Sequence, residues 1–272
     1  MKDWEMISSR QNSRVKNLIK LQQKKHRYRQ GLFLLEGFNL IETALKAGAK
    51  IEELYLSQQL KIDSAEVQSI IARLPAGIEP VILEEDLLKK SATTVNPQGI
   101  LAVTRINERS LNDIWQLPGP LLLLAEVQDP GNMGTIIRTA AAADLAGLLT
   151  VKGSVDIFNP KVVRGSMGGI FSLPLCQSIT LQDIKQCLAG DQLKPRRLVA
   201  AEPRASQSYY DFTFTTDDII VIGNEARGFS EEMADLIEQK ITIPLPGSME
   251  SLNAAVAASL VVFEMLKQFA QN

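Results

Sequence analysis

The sequence predicts an α/β protein of two domains, the second built on a mostly parallel, Rossmann-like sheet with helices on both faces. Three observations carry this expectation. At 272 residues the chain can form two cores at roughly 100 to 200 residues per domain. Short apolar runs of strand length alternate with longer amphipathic runs throughout. The run "LLLLAEV" from Leu121 is apolar on both faces, as a central strand of a parallel sheet is.

The first domain is expected over residues 1–107. A basic helix over 12–28 carries Val15, Leu18, Ile19 and Leu21 at near-helical spacing. A strand "LFLLEG" ends at Gly37, and the helix "FNLIETALKAG" stops at Gly48. The strand "IEELYLS", a helix near 63–73, the strand "EPVIL", a short helix at 84–90 and the strand "GILAVTR" complete the layer. Residues 108–118 read as a linker, because "NERSLNDIWQLPGP" loses periodicity and closes on Pro118 and Pro120.

The second domain, 119–272, starts with "LLLLAEV". It continues through a Gly/Pro loop and a small-residue helix in "QDPGNMGTIIRTAAAADLAG" to the strand "LLTVKG". Further strands are expected at "RLVAA", "DIIVIG" and "KITIPL", with helices near 160–167, 181–189, 230–239 and 251–269. No internal repeat or low-complexity tract is present.

Composition narrows the function. The N-terminus "MKDWEMISSRQ" has no apolar signal region, and the longest apolar stretch is interrupted by Ser259 and Glu264, so a cytoplasmic protein without a membrane span is expected. Cys176, Cys187 and the lone His26 lie in no metal-type spacing, which excludes most zinc sites and every His-dependent triad. No metal is expected. Between residues 10 and 29 stand Arg10, Arg14, Lys16, Lys20, Lys24, Lys25, Arg27 and Arg29, with no acidic residue; removing these eight charges from a net −2 leaves the rest at −10. Such a segment is either a phosphate-contacting surface or a solvated basic face. His26 reads as a surface or contact residue.

Three loops fall at the carboxyl end of a strand and the start of a helix: "DPGNMGTIIRTA" (129–140), "IGNEARGFSEEM" (222–233) and "IPLPGSMESLNAA" (243–255). In open α/β sheets that is where ligands bind. The first loop combines Gly131 and Gly134 with Asn132 and Arg138; it reads equally as a turn capped by Asn132. Its G-x-x-G spacing is neither a dinucleotide fingerprint nor a P-loop, which argues against a nicotinamide-dependent oxidoreductase. The second sets Gly223, Asn224, Glu225 and Gly228 directly after an apolar strand. In the third, Ser248 or Ser251 alone would cap the final helix, so Gly247, Glu250 and Asn253 are surplus to capping. The segment "NPKVVRGSMGGIFSLPL" (159–175) joins Lys161 and Arg164 to Gly165, Gly168 and Gly169. It fits a backbone-cradling loop or one that packs closely on the sheet.

Together and in order, these loops resemble the three motifs of the SpoU (TrmH-like) RNA ribose 2′-O-methyltransferases of the SPOUT superfamily. The resemblance runs from about Leu121 to Phe269. The N-terminal half, through "FLLEGFNLIETAL" and "NPQGILAV", is similar to the substrate-binding domain of many members, which shares its fold with RNA-binding ribosomal proteins. The resemblance implies a deep trefoil knot in the second domain and a pocket for S-adenosylmethionine. It implies main-chain contacts to that cofactor near Gly223, Ile243 and Leu252, with Asn224, Leu245 and Ser248 beside them. Arg138 is then implicated in activating the hydroxyl, surrounded by Asn132, Glu225, Ser251 and Asn253. RNA is the implied substrate, held by Arg10, Arg14, Lys16, Lys20, Lys24, Lys25, Lys161 and Arg164, and the apolar last helix implies a homodimer. Ribosomal RNA, 23S in particular, is the expected target; a tRNA methyltransferase or a non-catalytic RNA-binding protein are the alternatives. Since arginine is a permanent cation, Arg138 is better suited to polarise the hydroxyl or grip the neighbouring phosphate than to act as a free base.

Overall fold

The computed structural model describes residues 4–190, 193–224 and 227–271. They form two compact units: Met1–Asn107 with Phe158–Phe171, and Glu108–Ile157 with Ser172–Asn272.

The first unit is a five-stranded mixed sheet in the order β1-β4-β3-β5-β2. Its strands are β1 (Met6–Ile7), β2 (Leu32–Glu36), β3 (Ile51–Ser57), β4 (Pro80–Leu83) and β5 (Ile100–Arg105). Strand β5 runs antiparallel to both β2 and β3, whereas β4 is parallel to β3 and to β1. The two-residue β1 went unforeseen because so short a strand leaves no period-two signature. Helices α1 (Ser13–Leu21), α2 (Lys24–Gln30), α3 (Phe38–Lys46), α4 (Ala65–Ala72) and α5 (Glu85–Ser91) cover it. Val15, Leu18 and Leu21 of α1 pack into one core with Tyr55, Leu83 and Leu101.

The single helix expected over 12–28 is two. Gln23 is extended, and the cause is tertiary: Gln22 Nε2 donates to the carbonyls of Ser91 (3.0 Å) and Ala92 (3.2 Å) at the end of α5. Arg27 completes the break. It is buried, and one guanidinium nitrogen donates to the carbonyls of Leu21 (3.0 Å) and Gln22 (2.8 Å), closing the end of α1. One of the eight basic side chains is thus a structural cap rather than a surface charge.

In the second unit, α6 (Leu111–Trp115) precedes β6 (Leu121–Leu124), α7 (Pro130–Ala142) and β7 (Gly147–Val151). After α8 (Pro160–Gly165), which folds with the first unit, come β8 (Leu175–Ile179), α9 (Leu181–Ala189), β9 (Arg197–Ala201) and β10 (Gln207–Ser208). The chain continues as β11 (Asp218–Ile222), α10 (Glu231–Ala234), β12 (Gln239–Thr242) and α11 (Ala254–Gln271). The seven strands form one sheet in the order β10-β12-β9-β11-β6-β7-β8, with every neighbouring pair parallel. Strands β6, β7 and β11 are buried throughout, as strands covered on both faces are. Among the described residues no helix is long and apolar enough to cross a membrane.

Three expectations are corrected. The 108–118 stretch is a packed element of the second unit, with Ile114 and Trp115 in its core. Trp115 Nε1 donates to the Lys194 carbonyl (3.0 Å), and the buried Arg196 guanidinium donates to the carbonyls of Trp115, Leu117 and Gly119 at 2.6–3.0 Å. A five-residue helix is too short to show a 3.6-residue period, so its sequence read as a linker. The helix expected over 230–239 ends at Ala234 because residues from Gln239 onward pair with β9. The last helix starts at Ala254, not 251.

Candidate functional site

The chain leaves β6 toward β7 on one side of the sheet, and leaves β11 toward β12 on the other. The adjoining pair β6 and β11 is therefore a topological switch point, where the loops beyond the strands diverge and open a crevice. Asn224, two residues past β11, donates through Nδ2 to the Glu126 carbonyl beyond β6 at 2.9 Å. Main-chain bonds between Asn224 and Gly228, at 2.9 and 3.0 Å, close the intervening loop. Glu126 itself holds the left-handed conformation, at φ 59°. Glu225 lies outside the described residues.

Beside this bridge, beyond the ends of β9, β11 and β12, lies an open cleft. Gly223, Asn224, Ile243, Leu245, Ser251 and Leu252 all line it. Six of the predicted site residues, distant in sequence, are thus brought to one place. Gly223 leaves little room for a side chain: a Cβ there would stand 2.9 Å from Phe229 Cε1 and 3.0 Å from the Gly228 carbonyl oxygen. The main chain therefore forms the floor of the cleft at this point. Among the described residues, the peptide groups of Leu245, Ser251 and Leu252 make no main-chain hydrogen bond, so their donors and acceptors are open to a ligand. Apolar walls with a few free main-chain groups suit a nucleoside-sized molecule. Phe229, Ala201 and Glu202 also line the cleft. Sequence reading passed over them, although the position of Glu202 just past a strand end was a usable signal.

Helices α7 and α11 run side by side in the same direction. Asn253 Nδ2 donates to Asn132 Oδ1 at 2.8 Å, and one to two turns on, the hydroxyls of Thr139 and Ser259 meet at 3.1 Å. The glycine loop expected at 129–134 is the first turn of α7. Asp129, not Asn132, caps it through the Asn132 N–H at 2.8 Å, and Pro130 fits the first helical position. Likewise neither Ser248 nor Ser251 caps α11. Asn253 does so, its Oδ1 accepting from the N–H groups of Ala255 (2.9 Å) and Val256 (3.3 Å). One amide thus caps a helix with its oxygen and holds Asn132 with its nitrogen.

Replacing Asn253 by Asp separates these two roles, since a carboxylate caps as well as an amide but cannot donate to Asn132. The thermal midpoint should stay within a few degrees, whereas Asn253→Ala should lose about 1 kcal/mol of stability. If positioning Asn132 matters to the reaction, the Asp variant still loses turnover. An Asp variant as active as the parent would reduce Asn253 to a cap.

Other predicted residues are not brought into this cluster. Arg138 sits on the exposed side of α7, roughly 120° around the helix from the Asn132–Thr139 row, with no hydrogen-bonding or ionic partner among the described residues. Ser248 is exposed and does not line the cleft. Lys161 and Arg164 fold with the first unit. Arg10, Lys16, Lys20 and Lys25 are exposed there without carboxylate partners among the described residues. Arg14 is instead paired with Glu5 (2.6 Å) and Glu53 (3.8 Å), and the Lys24 ammonium lies 5.6 Å from the centre of the Tyr28 ring. Neither cysteine is poised for nucleophilic work. Burial pushes the Cys176 thiol up to about 11 and raises Cys187 as well.

Fold and cleft together define a cofactor-binding α/β protein of Rossmann-like type carrying a separate, smaller α/β unit. The chain belongs to the SpoU rRNA methylase family, whose model matches residues 119–263, and residues 12–102 match that of the MRM3-like substrate binding domain. Among curated relatives, the 23S rRNA (guanosine(2553)-2′-O)-methyltransferase RlmP of Bacillus subtilis is 31% identical over 95% of this chain and 98% of its own length. A solved RNA 2′-O ribose methyltransferase superposes with a TM-score of 0.81 at 31% identity, covering 97% of this chain and 99% of that one. The SpoU methyltransferase AviRb of Streptomyces viridochromogenes, solved with its cofactor AdoMet, gives 0.87 at 28% identity, over 96% and 100% of the two chains.

Proposed function

We propose that this protein transfers the methyl group of S-adenosylmethionine to a ribose 2′-hydroxyl of ribosomal RNA, 23S rRNA being the favoured substrate. The observation that carries the reading is the convergence of the 223–228 and 243–253 segments on one cleft beyond the strand ends, beside the Asn132–Asn253 pair. When bound, S-adenosylmethionine supplies an electrophilic methyl on a sulfonium centre. The residues fit such a group: Ile243, Leu245 and Leu252 offer apolar walls, and the main chain at Gly223, Leu245 and Leu252 offers the polar contacts.

A ribose 2′-hydroxyl is a poor nucleophile at neutral pH, so this chain's residues have to align it and help it lose a proton. Asn132, already oriented by Asn253, and Ser251 at the cleft edge are the polar groups suited to alignment. Arg138, a permanent cation without a partner among the described residues, polarises the hydroxyl or holds the adjacent phosphate, with the proton passing to that phosphate or to water. The exposure of Arg138 on α7, away from the cluster, fits a residue engaged only when RNA or a second protomer is present.

A homodimer follows from α11. Val256, Leu260 and Phe263 recur at i, i+4 and i+7 and stand 47%, 38% and 52% exposed, an apolar stripe on a helix whose Ala254, Ala258, Val261, Val262 and Met265 are buried. In this reading the second domain is knotted, with the 243–253 segment threaded through the fold, residues 1–107 bind RNA, and the protein works in the cytoplasm.

Mapping ribose methylation in total RNA from cells with and without the gene should show one ribosomal 2′-O-methyl position lost, restored by the purified protein with S-adenosylmethionine. An unchanged methylation map together with no cofactor binding by calorimetry would overturn the assignment. The basic segment makes a separate prediction. Lys16, Lys20 and Lys25 are exposed and unpaired among the described residues, whereas Arg14 is neutralised by Glu5 and Glu53. Replacing the three lysines by alanine should weaken RNA binding and flatten its salt dependence, by up to about 0.9 in log–log slope per lost phosphate contact on a duplex. Cofactor affinity should hold. An unchanged slope would make the segment a solvated face.

A further inference from the structure

The first unit contains a cleft of about 330 Å³ whose lining differs in kind from that of the cofactor cleft. It is rich in side-chain amides, from Asn39, Asn96 and Gln98, with Arg164 and Met167 also in its lining. The side-chain amides of Asn39 and Asn96 have no hydrogen-bonding partner among the described residues, and Gln98 spends only its side-chain oxygen, which accepts from the Phe38 N–H at 3.0 Å. Two whole amides and one amide nitrogen are therefore open to an incoming ligand.

The walls holding these groups are built rather than incidental. Glu36, at the end of β2, has a side chain only 7% exposed. Its carboxylate accepts from the Thr93 N–H (2.9 Å), the Thr93 hydroxyl (2.7 Å) and the Thr94 hydroxyl, and the Arg164 guanidinium bonds the same Thr93 hydroxyl. The buried acid is thus saturated internally, and its work is to fix the loop that bears Asn96 and Gln98. Gly168 takes φ +92°, and a Cβ there would lie 2.4 Å from the Thr43 methyl on α3. The loop is pressed against α3 as closely as a glycine permits. Its neighbour Met167 is held in the left-handed region at φ 49° and left 56% exposed at the rim. Val95, which lies in sequence between the lining residues Thr94 and Asn96, is 94% exposed.

Amides, a fixed guanidinium and exposed soft apolar groups around one concavity match the needs of a single nucleobase. The edge of a base is read by bifunctional amides and by arginine, and its face rests on apolar or polarisable atoms. A phosphate would instead call for several cations, and this cleft has one. We infer that this cleft takes an unpaired base of the RNA substrate, extruded at a position separate from the methylated nucleotide, and so supplies base preference that the exposed lysines of α1 and α2 cannot. The inference rests on the RNA-methylating function proposed above.

The test uses the full-length protein and a transcript of the ribosomal segment that it methylates. Asn39→Ala with Asn96→Ala removes only exposed side chains without internal partners, so folding and cofactor binding serve as controls and should be unchanged. RNA affinity is expected to fall by about tenfold or more with an unaltered salt slope, because base contacts rather than phosphate contacts are lost. Transcripts carrying single abasic sites should show one position, other than the methylated one, at which the parent protein loses the same affinity and the variant loses nothing more. With the unmodified protein, a photoreactive thio-substituted base at that position should crosslink to the peptides containing Asn96 or Met167. Equal affinity of variant and parent, or a loss accompanied by a shallower salt slope, would overturn the inference. Displacement of the transcript from the cleft by free nucleoside monophosphates alone, with no sensitive abasic position, would overturn it as well, in favour of a small-molecule site. If the parent protein neither binds nor methylates RNA, it is the proposed function that fails.

Discussion

An RNA carrying one 2′-deoxyribose at the target nucleotide is expected to bind nearly as well as the parent RNA and to accept no methyl group. The proposed acceptor is the only atom removed, and the phosphates and bases that supply affinity remain. This is the largest effect expected of any single change, since it deletes the nucleophile rather than a group that assists it. Binding by fluorescence anisotropy and methyl transfer by mass spectrometry of the digested RNA read the two quantities separately. Transfer to the deoxy substrate would show that the acceptor is a base atom. With the thiols of Cys176 and Cys187 buried and raised, that atom would be a nucleophilic base nitrogen rather than a carbon activated by a cysteine adduct.

Arg138→Ala should bind S-adenosylmethionine as the parent does and lose turnover by about a hundredfold or more, the range expected for a group assisting proton loss or stabilising charge in the transition state. Its side chain is exposed on α7 and has no partner among the described residues, so its removal should leave stability within about 0.5 kcal/mol of the parent. Arg138→Lys discriminates between roles. It keeps the charge but not the planar fork, so a residue gripping a phosphate through paired N–H groups retains only part of its activity on this change. Because Arg138 lies on the helix packed against α11, light scattering should accompany the kinetics. A variant that has changed its oligomeric state would implicate assembly, and a fully active, correctly assembled one would remove Arg138 from the chemistry while leaving the ribose acceptor standing.

Sequence alone determined the two-unit α/β organisation, the parallel character of the second sheet and the three segments that matter. Each depends on a local signal. A strand buried on both faces, such as Leu121–Leu124, reads as an unbroken apolar run, and a segment with more polar residues than capping requires, such as 243–253, stands out beside an apolar helix. The family resemblance then joined segments that no periodicity could join. Tertiary structure decided what each polar residue does within those segments. Asn253 rather than Ser248 or Ser251 caps α11 because the helix starts where Ala254 and Ala255 become buried, a boundary fixed by packing. Arg27 became a cap rather than a surface charge because α5 holds Gln22 and breaks the helix ahead of it. Trp115 made a packed element out of an apparent linker, since its partners Lys194 and Arg196 lie some 80 residues away in the chain. The polar cleft of the first unit escaped sequence reading for the same reason: Asn39, Asn96 and Arg164 come from three distant segments, and only the buried carboxylate of Glu36 and the close fit of Gly168 on Thr43 bring them together.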